Sequence, residues 1–184
     1  MAAWLIILVL LGLVIVPVLY INRIIVLSNR IDNAWSQIDV QLKKRADLVP
    51  NLVETVKGYM KHEKKAIEMV VKAREEMMKI GDDIKLREKV ENQLADALKT
   101  IFALAENYPK LKASENFKML QEQLESIENK IAYARQFYND SVLEYNNLVT
   151  TIPGIWFVGL TGKPRTREYF QIGESERKPV KVEF

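Results

Sequence analysis

From Met1 to Asn22 the chain carries no charged side chain, and Trp4 through Val16 is almost unbroken Leu, Ile and Val. The apolar run continues through Pro17 to Ile21, and the first charge is Arg23. A helix rises about 1.5 Å per residue, so about 20 residues span a hydrocarbon core of about 30 Å. Residues 1–22 therefore read as a transmembrane helix, and everything after Arg23 is charged, periodic and soluble in character. About 160 residues remain, enough for one domain with a core of its own.

A cleaved signal would need a basic n-region, a shorter apolar core and a small-x-small site. No Lys or Arg precedes this run, and it is followed by Tyr20-Ile21-Asn22-Arg23, so an uncleaved anchor is the better reading. A buried core helix would show a polar face, and none is present. Arg23, Arg30, Lys43, Lys44 and Arg45 all follow the span. Positive charge stays inside, so the expected topology is a single pass in the cell membrane, with the N-terminus outside and the body cytoplasmic.

The body reads as helical. Ile24, Leu27, Ile31, Ala34, Ile38 and Leu42 recur at steps of three and four with charges between them. No Gly or Pro separates them from the anchor after Pro17, so the anchor runs on into the first helix of the body. Pro50 lacks an N–H and crowds the carbonyl of Ala46, while Asp47 is a good N-cap. The preferred reading is one helix ending near Arg45 and a second running from Asp47 to about Ile80, with a kinked single helix as the alternative. The seam Ala46, Val49, Val53, Val56, Met60 keeps helical spacing across Pro50. It would continue through Ile67, Val70, Ala73 and Met77. Gly81-Asp82-Asp83 reads as a stop followed by a cap.

A further helix carries Val90, Leu94, Ala97, Leu98, Ile101 and Leu104 and ends at Asn107-Tyr108-Pro109. Ser114 caps the last one. There Phe117, Leu120, Leu124, Ile127, Ile131, Ala134, Tyr138, Ser141, Tyr145 and Leu148 alternate steps of three and four, a coiled-coil-like seam with Ser141 its weak position. Ile152-Pro153-Gly154 ends it. The predicted fold is all-α: an N-terminal transmembrane helix followed by an antiparallel, up-and-down four-helix bundle with long helices. The domains are 1–22 (anchor), 23–152 (bundle), 153–170 (an apolar, aromatic segment) and 171–184 (a disordered tail).

Ile155-Trp156-Phe157-Val158-Gly159-Leu160 is too short to cross a bilayer. The simpler reading is a cap on one end of the bundle. The sharper one sets Trp156 and Phe157 in the membrane interface, where aromatic rings concentrate. Residues 163–184 add six Lys/Arg against four Glu, a small excess that could brush anionic lipid.

Residues able to do chemistry are few. With no Cys there is no disulfide framework, thiolate site or Cys nucleophile. His62 is the only His, and the position that would complete a zinc-protease motif after His62-Glu63 is Ala66. Glu75/Glu76 and Asp82/Asp83 read as solvated or capping carboxylates. Gly159-Leu160-Thr161-Gly162 lacks the following helix that a phosphate loop needs. Asn139-Asp140-Ser141 matches a glycosylation sequon but lies mid-helix. Asn29, Gln37, Asn51, Glu128, Asn129, Arg135 and Asn139 lie near the apolar seams and could form an inter-helix polar network that fixes register, with a ligand site as the minor reading. No catalytic, cofactor or metal residues are assigned. The net charge of +3, with Lys and Glu alternating, does not suggest nucleic acid.

Several longer runs go further. Asn33-Ala34-Trp35-Ser36-Gln37-Ile38-Asp39-Val40-Gln41, Arg45-Ala46-Asp47-Leu48-Val49-Pro50-Asn51-Leu52-Val53 and Val56-Lys57-Gly58-Tyr59 resemble the LemA family of bacterial membrane proteins. So do Ala105-Glu106-Asn107-Tyr108-Pro109, Glu115-Asn116-Phe117 and the run from Glu128 to Asp140. The resemblance reaches from the anchor to about Phe170. It implies one N-terminal membrane helix with a short outer N-terminus, a cytoplasmic helical bundle and no enzyme activity. A relative serves in the formation of magnetosome membranes, and members often occur beside a membrane-bound metalloprotease. The family name is shared with an unrelated sensor kinase, whose loops this chain lacks.

The function expected is a non-enzymatic, membrane-anchored scaffold or adaptor that self-associates or binds a membrane-protein partner. The alternatives are a membrane-shaping lipid-surface protein, an accessory to a membrane metalloprotease and, last, an enzyme or small-ligand binder. No small-molecule substrate is evident.

Overall fold

The computed structural model describes residues 2–81 and 83–171. Among these there are α-helices, one 3-10 turn and no strand. The helices are α1 (Ala2–Lys57), α2 (Lys64–Lys79), α3 (Ile84–Ala105), α4 (Pro109–Lys112), α5 (Glu115–Thr150) and α6 (Gly154–Phe157), with the 3-10 turn at Val158–Leu160. The expectation for residues 172–184, and the part of the Gly81-Asp82-Asp83 reading that concerns Asp82, lie outside the described residues. The described residues form two compact units: 2–37 with 134–169, and 38–133 with 170–171. Helices α1 and α5 contribute to both.

In the first unit, α1 carries the apolar run straight into the folded body. Among the described residues one helix is long and apolar enough to cross a membrane, and its most apolar window is wholly unburied. Burial begins at Ile24 and follows the expected stripe through Leu27, Ile31 and Ala34. On α5 the buried face is Ala134, Tyr138, Ser141, Val142, Tyr145 and Val149. Ser141 is accommodated because its hydroxyl donates to the carbonyl of Phe137 at 2.8 Å. Gly154 opens α6 hard against α5: a Cβ there would collide with the Leu148 carbonyl oxygen, so only glycine fits.

The second unit corrects the reading at Pro50. There is no helix end near Arg45 and no cap at Asp47, because α1 continues to Lys57. Pro50 is exposed, and the carbonyl it strips of a partner, that of Ala46, accepts instead from Nε of Arg74 at 3.0 Å. A long-range side chain thus replaces the missing backbone donor. The break comes later, at Gly58–Glu63, so the expected helix from Asp47 to Ile80 is divided. Gly is a poor helix residue, and Met60 closes the last turn by donating to Val56 at 2.8 Å.

The apolar seam survives this division. Val49, Leu52, Val53, Val56 and Met60 share one core with Ala66, Ile67, Val70 and Ala73 of α2, Leu94, Ala97, Leu98 and Ile101 of α3, Leu111 of α4, and Phe117 and Leu124 of α5. The Asp83 carboxylate accepts from the Leu86 amide at 3.0 Å, so α3 begins with the expected cap. Pro109 sits at the start of α4, where its missing N–H costs nothing.

Candidate functional site

The polar residues picked out beside the seams do not form one network. Asn29, Gln37, Asn51 and Asn129 are exposed. Each lies on the outer edge of its stripe, where a small rotation of the helix carries a side chain from core to solvent. Arg135 is buried on α5. Glu128 is engaged, but with Arg45, a residue not among those picked out beside the seams.

Arg45 lies one helical step from Leu42 and Val49 and so points inward. It is 1% exposed, and it donates from one nitrogen to Glu128 Oε2 at 2.9 Å and from another to Glu91 Oε1 at 3.0 Å. The latter nitrogen also reaches the Glu91 backbone carbonyl at 3.3 Å. Three helices of the second unit, α1, α3 and α5, therefore meet on one guanidinium. Arginine's fixed fork suits two carboxylates at once, so the group can lock the register of the three helices. Nearby, Arg87 pairs with Asp39, and burial lowers the Arg87 pKa from its ordinary value.

Among the described residues no three His, Cys, Asp or Glu side chains converge to hold a metal. His62 and Glu75 lie on an open groove of about 1000 Å³ at the α1–α2 end of the second unit, with Lys57, Lys61, Lys64 and Lys72 around it. Glu63 accepts from the Tyr108 hydroxyl at 3.1 Å, and Asp83 is used as a cap. The sequon residue Asn139 is half-buried within α5.

The first unit holds the more developed arrangement. After the 3-10 turn the chain runs back along α5 as an extended strap. Tyr145 donates to the Pro164 carbonyl at 2.5 Å and Tyr138 to that of Glu168 at 3.0 Å. Asn146 grips the Arg167 backbone on both sides, donating to its carbonyl at 3.0 Å and accepting from its amide at 2.8 Å. The Arg167 side chain reaches α1, donating to Ser28 at 3.1 Å and Asp32 at 3.0 Å. Burial raises the Tyr138 and Tyr145 pKa values; Asp32 adds to both shifts and Arg167 opposes them. Glu144 of α5 accepts from Arg30 at 2.8 Å and from Arg23, at the first charges after the apolar run.

The strap was missed in the sequence, where residues 153–170 read as one apolar, aromatic segment. The alternation of Lys163, Arg165 and Arg167 after Gly162 was the available signal. Gly162 takes a positive φ of 65°, which suits glycine at the turn into the strap. Above it, Phe157 turns inward and stacks on Tyr20 of α1 with ring centroids 5.9 Å apart. Trp156 faces out, 65% exposed.

These features define an all-helical protein built on one long apolar N-terminal helix. The sequence model of the LemA family matches residues 34–184, and the chain belongs to that family. Magnetosome proteins MamQ 1 and MamQ 2 of Paramagnetospirillum magneticum are each 31% identical to it over 85 residues. MamQ of Magnetospirillum gryphiswaldense is 29% identical over the same length. The matched stretch is 46% of this chain and covers 31% of the length of these curated relatives.

Proposed function

We propose that this protein is a non-enzymatic scaffold or adaptor anchored by a single pass in a bacterial cell membrane, with its N-terminus outside and its body at the cytoplasmic face. The carrying observation is the unbroken course of α1 from the unburied apolar run into the buried stripe at Ile24. A helix free to tumble on a tether would need a breaker near Asn22, and α1 has none. The basic residues after the span support the orientation. In the second unit, the four longest helices share one core, which we read as an up-and-down four-helix arrangement with coiled-coil-like packing along α5.

The charged groups of the two units serve as helix ties: Arg45 between Glu91 and Glu128, Arg167 on Asp32, Glu144 on Arg23 and Arg30. That use, and the likeness to proteins named for the magnetosome, favour a building or organising role over catalysis. Such a role requires a partner: a second copy or another membrane protein. Cross-linking in intact cells followed by affinity recovery tests it. A discrete larger species supports the proposal. Recovery of monomer alone, across growth conditions, refutes it.

A further inference from the structure

We propose that Ile155, Trp156 and Leu160 form a second membrane contact, seated in the headgroup interface of the leaflet where the apolar helix emerges. The proposal rests on the anchoring reading above.

The level is set by α1. Tyr20 lies three residues before Arg23, about 4.5 Å along the axis, so it sits where the hydrocarbon has to end. Phe157 stacks on Tyr20, and this fixes α6 at the same level. Ile155 and Trp156 lie on α6, and Leu160 closes the 3-10 turn that follows it. Here Gly154 and Val158 are the buried residues, while Ile155 and Trp156 are exposed and Leu160 is 73% exposed. Ile152, also exposed, precedes them. The patch adjoins the bare apolar surface of α1 through the Tyr20–Phe157 contact, so one occupant would cover both.

The composition identifies that occupant as lipid. Trp prefers the boundary where its ring meets acyl chains and its N–H meets water. Trp4, 16 residues before Tyr20, lies about 24 Å away along the helix, so aromatic rings flank the apolar run at both ends. Beyond Leu160 come Lys163 and the exposed Arg165, placed to meet anionic headgroups. A protein partner would be expected to bury such a patch with matching polar rims; the outcome below separates the two.

The test uses the full chain in vesicles of phosphatidylcholine and phosphatidylglycerol, with lipids brominated close to the headgroup. Trp-to-Phe substitutions leave either Trp156 or Trp4 as the only indole. Loss of emission from both supports the proposal. Loss from Trp4 with none from Trp156 overturns the second contact and leaves the anchor standing. Loss from neither overturns both. Because the chain has no Cys, a parallel readout avoids Trp35 altogether: Leu160→Cys should react slowly with a water-soluble maleimide in vesicles while Thr166→Cys reacts fast. Equal rates would overturn the contact.

Discussion

Replacing Pro50 with Ala tests why α1 is continuous in the second unit. A helix-interior proline costs about 3 kcal/mol relative to alanine, from ring crowding and from the hydrogen bond lost at the carbonyl four residues back. Here that carbonyl, on Ala46, is held by the charged Arg74 side chain at 3.0 Å, a bond worth about 1.5–3 kcal/mol. The residual cost of Pro50 should then be small, and Pro50→Ala should stabilise by only about 0–1.5 kcal/mol. Arg74→Met should cost about 2 kcal/mol in the native sequence, because it orphans the carbonyl. In the Pro50→Ala background the backbone amide restored at position 50 serves Ala46, and the same Arg74 change should cost under about 1 kcal/mol. Urea unfolding of the full chain in detergent micelles, followed by helical circular dichroism at constant m-value, reads all four corners of the cycle. An equal cost for Arg74→Met in both backgrounds would show that Arg74 does not stand in for the missing donor.

Arg45→Met should cost about 3–5 kcal/mol by breaking the buried ion pair with Glu91, and Arg45→Met with Glu91→Met should recover most of it; Glu128→Gln, at a carboxylate 42% exposed, should cost under about 1 kcal/mol. Tyr138 and Tyr145 have raised pKa values, so the stability of their protonated forms is fully present below about pH 10 and lost as pH climbs through the folded-state values. Phenolate absorbance should rise together with loss of helix in that alkaline window, and Tyr138→Phe with Tyr145→Phe should flatten the dependence. Asn146→Ala removes both hydrogen bonds to Arg167, so trypsin should cut the strap after Arg165 faster than in the native chain while α5 stays intact.

Much of the fold was legible because burial follows helical period. The stripe from Ile24 to Leu42, the seam through Ala46, Val49, Val53, Val56 and Met60, and α5 from Phe117 to Tyr145 are buried as spaced. Asp83 caps as its neighbours suggested. What the sequence hid is long-range. Pro50 reads as a breaker until Arg74, 24 residues on, is placed beside Ala46. Arg45 reads as part of a basic cluster until Glu91 and Glu128 are brought to it from two other helices. The strap left only the alternation of Lys163, Arg165 and Arg167 as a signal, since α5 holds it mainly through main-chain carbonyls, which every residue has whatever its side chain. The helix ending at Lys57 was missed because the seam continues past it and masks Gly58.

Single-cysteine accessibility along α1, in sealed vesicles of known orientation, tests most directly whether this helix spans the membrane with the body inside. With no native Cys, substitutions at Leu10, Arg23 and Ser36 report one position each. Position 10 should resist a membrane-impermeant maleimide from both sides. Positions 23 and 36 should react only from the cytoplasmic side. Ready modification at position 10, or reaction of position 36 from the outside, would contradict the anchored topology.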